Sequence, residues 1–111
     1  MASVEALYGI EFVSLSDSGY GVVILETNRI FGGDSSFVYI GDYEVKNGKV
    51  YADVKCTNDR KTLPSIFGDI NEFNLHLEGD LGDKEIILYG QMIENPEQKI
   101  GVKLTRRSEL P

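Results

Sequence analysis

The most regular alternation of apolar and polar residues lies between positions 37 and 56. Odd-numbered positions from 37 to 45 are apolar or glycine, and even-numbered positions from 50 to 56 are apolar, with charged residues at most intervening positions after 41. A period of two is typical of strands that bury one face. Asn47-Gly48 separates the two runs and supplies the positive φ angles that a type I′ turn requires. The pattern predicts an antiparallel hairpin.

Similar patterns predict six further strands, over residues 6–13, 20–27, 29–31, 72–79, 85–93 and 100–105, with a frayed tail at 106–111. Most connections are short, so consecutive strands should pair antiparallel as a meander. A meander of about eight twisted strands removes its exposed edges by closing on itself. The predicted fold class is therefore all-β, an antiparallel up-and-down β-barrel of about eight strands.

The longest predicted connection runs from position 57 to position 71. It contains Pro64, which suits the first turn of a helix, and the apolar residues Ile66, Phe67 and Ile70. Apolar side chains of this size are not expected in a freely solvated loop. We therefore predict a plug-like loop that packs over or into one opening of the barrel.

Length, charge and cysteine content narrow the class of protein. A chain of 111 residues fits one domain, 1–111, and its net charge of −7 disfavours a nucleic-acid partner. No apolar run approaches the roughly 20 residues of a membrane span, and the first residues do not resemble a signal peptide, so we expect no membrane partner and a cytoplasmic location. Cys56 is the only cysteine, and its apolar strand face predicts an inert, buried thiol.

Catalytic and metal-binding patterns are not evident in the sequence. The single histidine, His76, and the single cysteine lie on different strands without the spacing of a metal site. None of the serines stands in a Gly-x-Ser-x-Gly motif, and the glycine pairs do not open a phosphate-binding helix. We therefore predict a protein that is not an enzyme and that needs no metal or cofactor.

Aromatic residues dominate the predicted inner faces of the early strands. The candidate site residues are Tyr8, Phe12, Phe37, Tyr39 and Tyr43. They fit two interpretations, an ordinary packed core or the lining of a cavity for a small apolar, lipid-like ligand. Buried tyrosine hydroxyls need hydrogen-bond partners, so several of them in one interior would indicate water or a polar ligand group there.

Short motifs rich in glycine and aromatic residues recur over nearly the whole chain. They are Tyr8-Gly9-Ile10-Glu11-Phe12, Gly19-Tyr20-Gly21, Gly32-Gly33-Asp34, Tyr39-Ile40-Gly41-Asp42-Tyr43, Val50-Tyr51-Ala52-Asp53-Val54 and Pro64-Ser65-Ile66. Together they resemble the negative regulators of type III secretion found in attaching-and-effacing enteric bacteria. The resemblance implies a lipocalin-like barrel with an apolar cavity, a plug-like loop and a homodimeric state. It also implies a regulatory role exerted by binding a positive transcriptional regulator rather than DNA.

The chain departs from that family at its partner-binding loop. The family has an acidic Glu-Asp-Glu-Asp run there, whereas this chain has Val45-Lys46-Asn47-Gly48, with Asp42 and Glu44 nearby. We therefore treat the chain as a divergent relative and assign no partner-binding residues.

Two functional hypotheses follow for this barrel. The first is a non-enzymatic regulatory protein, a homodimer whose interface uses outer strand faces such as Val22/Ile24 or Ile87/Tyr89. The second is a carrier or sensor of a small apolar ligand.

Overall fold

The computed structural model describes residues 4–14, 18–58 and 72–110. The eight strands are β1 (Ala6–Ser14), β2 (Ser18–Glu26), β3 (Arg29–Gly33), β4 (Phe37–Lys46), β5 (Lys49–Asn58), β6 (Glu72–Asp80), β7 (Glu85–Met92) and β8 (Lys99–Ser108). Each strand pairs antiparallel with the next, and β1 also pairs with β8, so the sheet closes into a barrel. The predicted all-β, lipocalin-like up-and-down barrel is confirmed. No helix in these three ranges is long and apolar enough to cross a membrane.

The hairpin of β4 and β5 forms around the predicted turn. Asn47 and Gly48 have φ angles of 53° and 76°, and the flanking residues Lys46 and Lys49 are paired. Positive φ at both central positions is the type I′ geometry that matches the twist of the strands. The turn prediction is confirmed.

Alternation along the strands separates a buried interior from an exposed outer wall. On β8, Ile100, Val102 and Leu104 are at most 5% exposed, as their spacing predicts. The outer faces of β2 and β7 carry apolar side chains, among them Val22 and Tyr89, which are 46% and 68% exposed. What covers these faces stays a prediction.

Several predicted strand boundaries are wrong, among them the ends of β3, which continues to Gly33, of β5 and of β8. β5 continues to Asn58, which pairs with Phe37, so the connection predicted to begin at position 57 begins later. β8 continues to Ser108 although residues 106–111 were expected to fray, because the Arg106 amide donates a hydrogen bond to the Lys84 carbonyl at 2.8 Å. The predicted plug, with Pro64, Ile66, Phe67 and Ile70, lies outside the described residues.

Candidate functional site

A cavity of about 220 Å³ occupies the end of the barrel at which β3 turns into β4. All eight strands contribute to its walls, and the wall side chains are predominantly aliphatic or aromatic. Examples are Ile10, Val54, Leu75, Leu88 and Val102. Because they come from the inward-facing positions of the alternating strands, the hydrophobic pattern of the sequence directly produces an apolar interior.

The polar lining is confined to one end of this cavity. Ser18 lies at the start of β2, and Asp34, Ser35 and Ser36 form the bend between β3 and β4. Tyr39, in the first half of β4, also belongs to the lining. The cavity is therefore amphipathic, with an apolar interior and a polar rim. We define the rim as Asp34, Ser36 and Tyr39.

Asp34 organises the rim through its carboxylate. Oδ1 accepts hydrogen bonds from the backbone amides of Ser36, at 2.8 Å, and Phe37, at 2.7 Å. Oδ2 accepts a hydrogen bond from the Tyr39 hydroxyl. An aspartate whose carboxylate accepts hydrogen bonds from the backbone amides two and three residues later is typical of a tight turn. This explains why an aspartate stands at the bend that follows Gly32-Gly33.

Burial and the Asp34 charge keep the neighbouring acidic groups protonated. The pKa of Tyr39 is raised, first by burial and then by its hydrogen bond to Asp34. The pKa of the Cys56 thiol is raised to about 12, mainly by burial, with a contribution from the Asp34 charge. A thiol with so high a pKa is a poor nucleophile at neutral pH. Cys56 is 3% exposed, which confirms the prediction of a buried thiol.

Ser36 is an anomaly of the rim. It is 7% exposed, and its Oγ has no hydrogen-bond partner among the described residues. Leaving a buried hydroxyl unpaired has a free-energy cost, so such a group calls for an explanation. Ser36 was not among the predicted site residues, because none of the serines stands in the Gly-x-Ser-x-Gly motif of a nucleophile. The available signal was the polar Asp-Ser-Ser triplet at a tight bend between two apolar strands.

The five predicted site residues divide between the two ends of the barrel. Phe12, Phe37 and Tyr39 line the cavity, and the rings of Phe12 and Tyr39 meet edge to face with centroids 6.2 Å apart. Tyr8 and Tyr43 are equally buried but are not among the lining residues.

Protein groups satisfy two of the tyrosine hydroxyls that were expected to need water or a ligand. Tyr8 donates to the Val4 carbonyl at 2.6 Å, and Tyr39 donates to Asp34. Near Tyr8, the guanidinium of Arg106 lies 6.0 Å from the ring centroid. The tyrosine hydroxyls therefore do not by themselves indicate a polar ligand.

No protein-family model matches this chain, and no curated protein matches it. The resemblance to negative regulators of type III secretion therefore stays a prediction from the short motifs of the sequence.

The outer wall offers a second surface. Two cross-strand rows of its residues run over β2, β3 and β4. The first row is Ile24, Phe31 and Ile40. In the second row, Val22 on β2 and Val38 on β4 lie on either side of Gly33 on β3. We call these five residues the β2–β4 wall. Ile40 is 63% exposed. Asp42 and Glu44 are also exposed on β4, and Glu44 forms an ion pair with Lys46 at 3.3 Å.

His76 faces outward on β6, between two carboxylates. Nδ1 lies 2.8 Å from Asp53 Oδ1, and Nε2 lies 2.7 Å from Glu78 Oε2. These hydrogen bonds, with Asp53 the larger cause, raise the pKa of His76 above the usual 6.5. In the described part of the chain, no group of three or more His, Cys, Asp or Glu side chains is arranged to hold a metal ion.

The raised pKa of His76 predicts a pH-dependent contribution to stability. The contribution is fully present below the unfolded-state pKa of about 6.5 and is lost as the pH rises through the higher folded-state value. Because His76 is the only histidine, its imidazole proton signals can be followed by NMR without ambiguity. We expect a titration midpoint above 6.5 that moves down in Asp53→Asn. A midpoint at or below 6.5 in the unmodified protein contradicts the ion-pair geometry.

Proposed function

We propose that this protein binds a small apolar molecule in the cavity of its barrel. The observation that carries the proposal is the amphipathic cavity itself, about 220 Å³ in volume, with apolar walls from all eight strands and polar residues at one end. Small-molecule sites in proteins combine these two properties, apolar lining for affinity and a few placed polar groups for orientation.

The size of the cavity limits the ligand. A cavity of about 150 Å³ is enough to bind benzene, and pockets for drug-sized molecules begin at about 300 Å³. A volume of about 220 Å³ falls between these values. The best fit is a molecule with a single ring and a short alkyl chain, or a short acyl chain.

The chemistry of the rim supports binding rather than turnover. Cys56 and Tyr39 are held in their protonated forms by burial and by Asp34. The Asp34 carboxylate already accepts three hydrogen bonds that shape the bend. A general base or a nucleophile needs a pKa near the working pH and access to the substrate. Cys56 and Tyr39 are instead held protonated, and the hydrogen bonds of Asp34 stabilise the bend.

Binding can be tested by titrating the ¹⁵N-labelled protein with propylbenzene and recording amide NMR spectra. We expect saturable shifts for residues that line the cavity. Val54→Phe, which fills the cavity, should weaken binding at least about tenfold, whereas Val38→Phe on the outer wall should leave it unchanged. Thermal melts of both variants check that they fold. Absence of saturable shifts in the unmodified protein at millimolar propylbenzene would refute the proposal.

A regulatory function through protein contacts is the second candidate, and the β2–β4 wall favours it. Exposed contiguous apolar surface on a soluble domain typically marks an interface. We propose that this wall forms the homodimer that the sequence resemblance implies, in a protein that acts by binding a positive transcriptional regulator. The net charge of −7 suits an electropositive protein partner better than a nucleic acid.

Sedimentation velocity at micromolar concentration tests the homodimer. We expect a dimer in the unmodified protein and a monomer for Ile40→Asp, because the substitution places a charge at the most exposed residue of the β2–β4 wall. Ile87→Asp, on the other apolar outer face, is the matched control and should leave the dimer intact. A monomeric unmodified protein, or a dimer lost only in Ile87→Asp, contradicts the assignment of this wall.

A further inference from the structure

We infer that the rim selects a ligand whose single polar group is neutral and donates a hydrogen bond, such as a phenol or an alcohol, over a carboxylate. The inference rests on the proposed ligand-binding function and adds the chemical class of the ligand to it. The residues that carry it are Asp34, Ser36 and Tyr39.

Confinement of polarity to one end sets the orientation of a bound ligand. The wall residues that extend into the barrel, such as Leu77, Leu88 and Leu104, offer no hydrogen bonds. A polar group buried among them without a partner would pay its full desolvation penalty. A ligand with one polar group therefore places that group at the rim and its hydrocarbon part in the interior.

Charge at the rim disfavours an anionic ligand. Among the described lining residues, Asp34 is the one acidic side chain and there is no lysine or arginine. A carboxylate ligand would bring a second negative charge close to Asp34 in an environment of low dielectric constant, with no cation to offset it. Fatty acids and other small carboxylates are therefore poor ligands for this cavity.

The hydrogen-bonding capacity of the rim favours a donor. The Tyr39 hydroxyl donates its only proton to Asp34, which leaves the phenol oxygen as an acceptor. The Asp34 carboxylate is itself an acceptor. The unpartnered Ser36 hydroxyl both donates and accepts, so it can pair with the oxygen of an alcohol or phenol while that group donates its own proton to an acceptor of the rim.

Three probes with one carbon skeleton test the inference: propylbenzene, 4-propylphenol and 4-propylbenzoate, titrated at pH 7 by amide NMR. The test variant is Ser36→Ala, and its matched control is Ser108→Ala, which alters an exposed serine of β8 outside the cavity lining. Loss of a buried, unpaired hydroxyl is close to neutral for stability, so Ser36→Ala should fold normally. We expect 4-propylphenol to bind most tightly and 4-propylbenzoate most weakly.

Ser36→Ala should weaken binding of 4-propylphenol about three- to tenfold and leave propylbenzene unaffected, while Ser108→Ala should change neither. The inference is wrong, and the proposed function stands, in either of two cases. In the first, propylbenzene binds but 4-propylphenol binds no more tightly than propylbenzene does. In the second, 4-propylbenzoate binds as tightly as 4-propylphenol. The role of Ser36 is likewise overturned if Ser36→Ala leaves the preference for the phenol intact. If none of the three probes binds, both the inference and the proposed function fail.

Discussion

Gly90→Ala should destabilise the barrel by about 3 kcal/mol or more. A Cβ at position 90 would overlap the His76 carbonyl oxygen on β6 and would lie 2.7 Å from the carbonyl carbon and 3.0 Å from the Leu77 Cα. These are backbone atoms of a paired strand, so they cannot move aside as a flexible side chain would. Relief requires β6 and β7 to separate, which weakens their hydrogen bonds.

The neighbouring strand provides a matched control, Gly101→Ala. The nearest atoms to a Cβ there are ring carbons of Tyr89, at 3.5 and 3.6 Å, which is ordinary contact. Alanine at a permitted backbone position lowers the entropy of the unfolded chain, so we expect a change between zero and about 1 kcal/mol of stabilisation. Urea denaturation of both variants makes the comparison. Equal effects at positions 90 and 101 would contradict the close approach of β6 to β7.

Leu88→Ala should cost about 2–5 kcal/mol, because this leucine is 1% exposed and its removal enlarges the cavity that it lines. The same substitution should change ligand preference. The enlarged cavity should bind a longer homologue, butylbenzene, more tightly than the unmodified protein does, and saturating butylbenzene should restore part of the lost stability.

The control for this experiment is Leu81→Ala, in the exposed turn between β6 and β7, with an expected effect within about 0.5 kcal/mol. Denaturation curves with and without butylbenzene measure both effects. A loss of stability in Leu88→Ala that butylbenzene does not reduce would place Leu88 in an ordinary packed core, outside any ligand-accessible space.

The sequence predicted which side faces inward in the strands that alternate between apolar and polar residues, because alternation is a local property. The hairpin of β4 and β5 and the inner face of β8 followed from spacing alone. Alternation also explains why the prediction of a frayed tail from position 106 is wrong, since Arg106 continues the series of Leu104 and packs near Tyr8.

Position along the barrel axis could not be predicted in the same way. Tyr8 and Phe12 are four residues apart on one inner face, yet only Phe12 lines the cavity. The position of a residue along the barrel axis depends on the register of β1 with β2 and with β8. The pairing of β1 with β8 involves residues that are far apart in the sequence. The rim could not be predicted for a related reason. The bend places Asp34 and Ser36 beside a cavity only when the barrel is closed, so the local sequence does not reveal their position.

Closure by the pairing of β1 with β8 also constrains how the protein folds. Ile10 pairs with Leu104, so the contact that completes the sheet joins the two ends of the chain. Such non-local pairing is slow, because the entropy of closing a long loop is lost before the contact forms. Until β8 pairs with β1, the sheet exposes two open edges. Unpaired strand edges can template association with other chains, so we expect aggregation to compete with folding before the barrel closes.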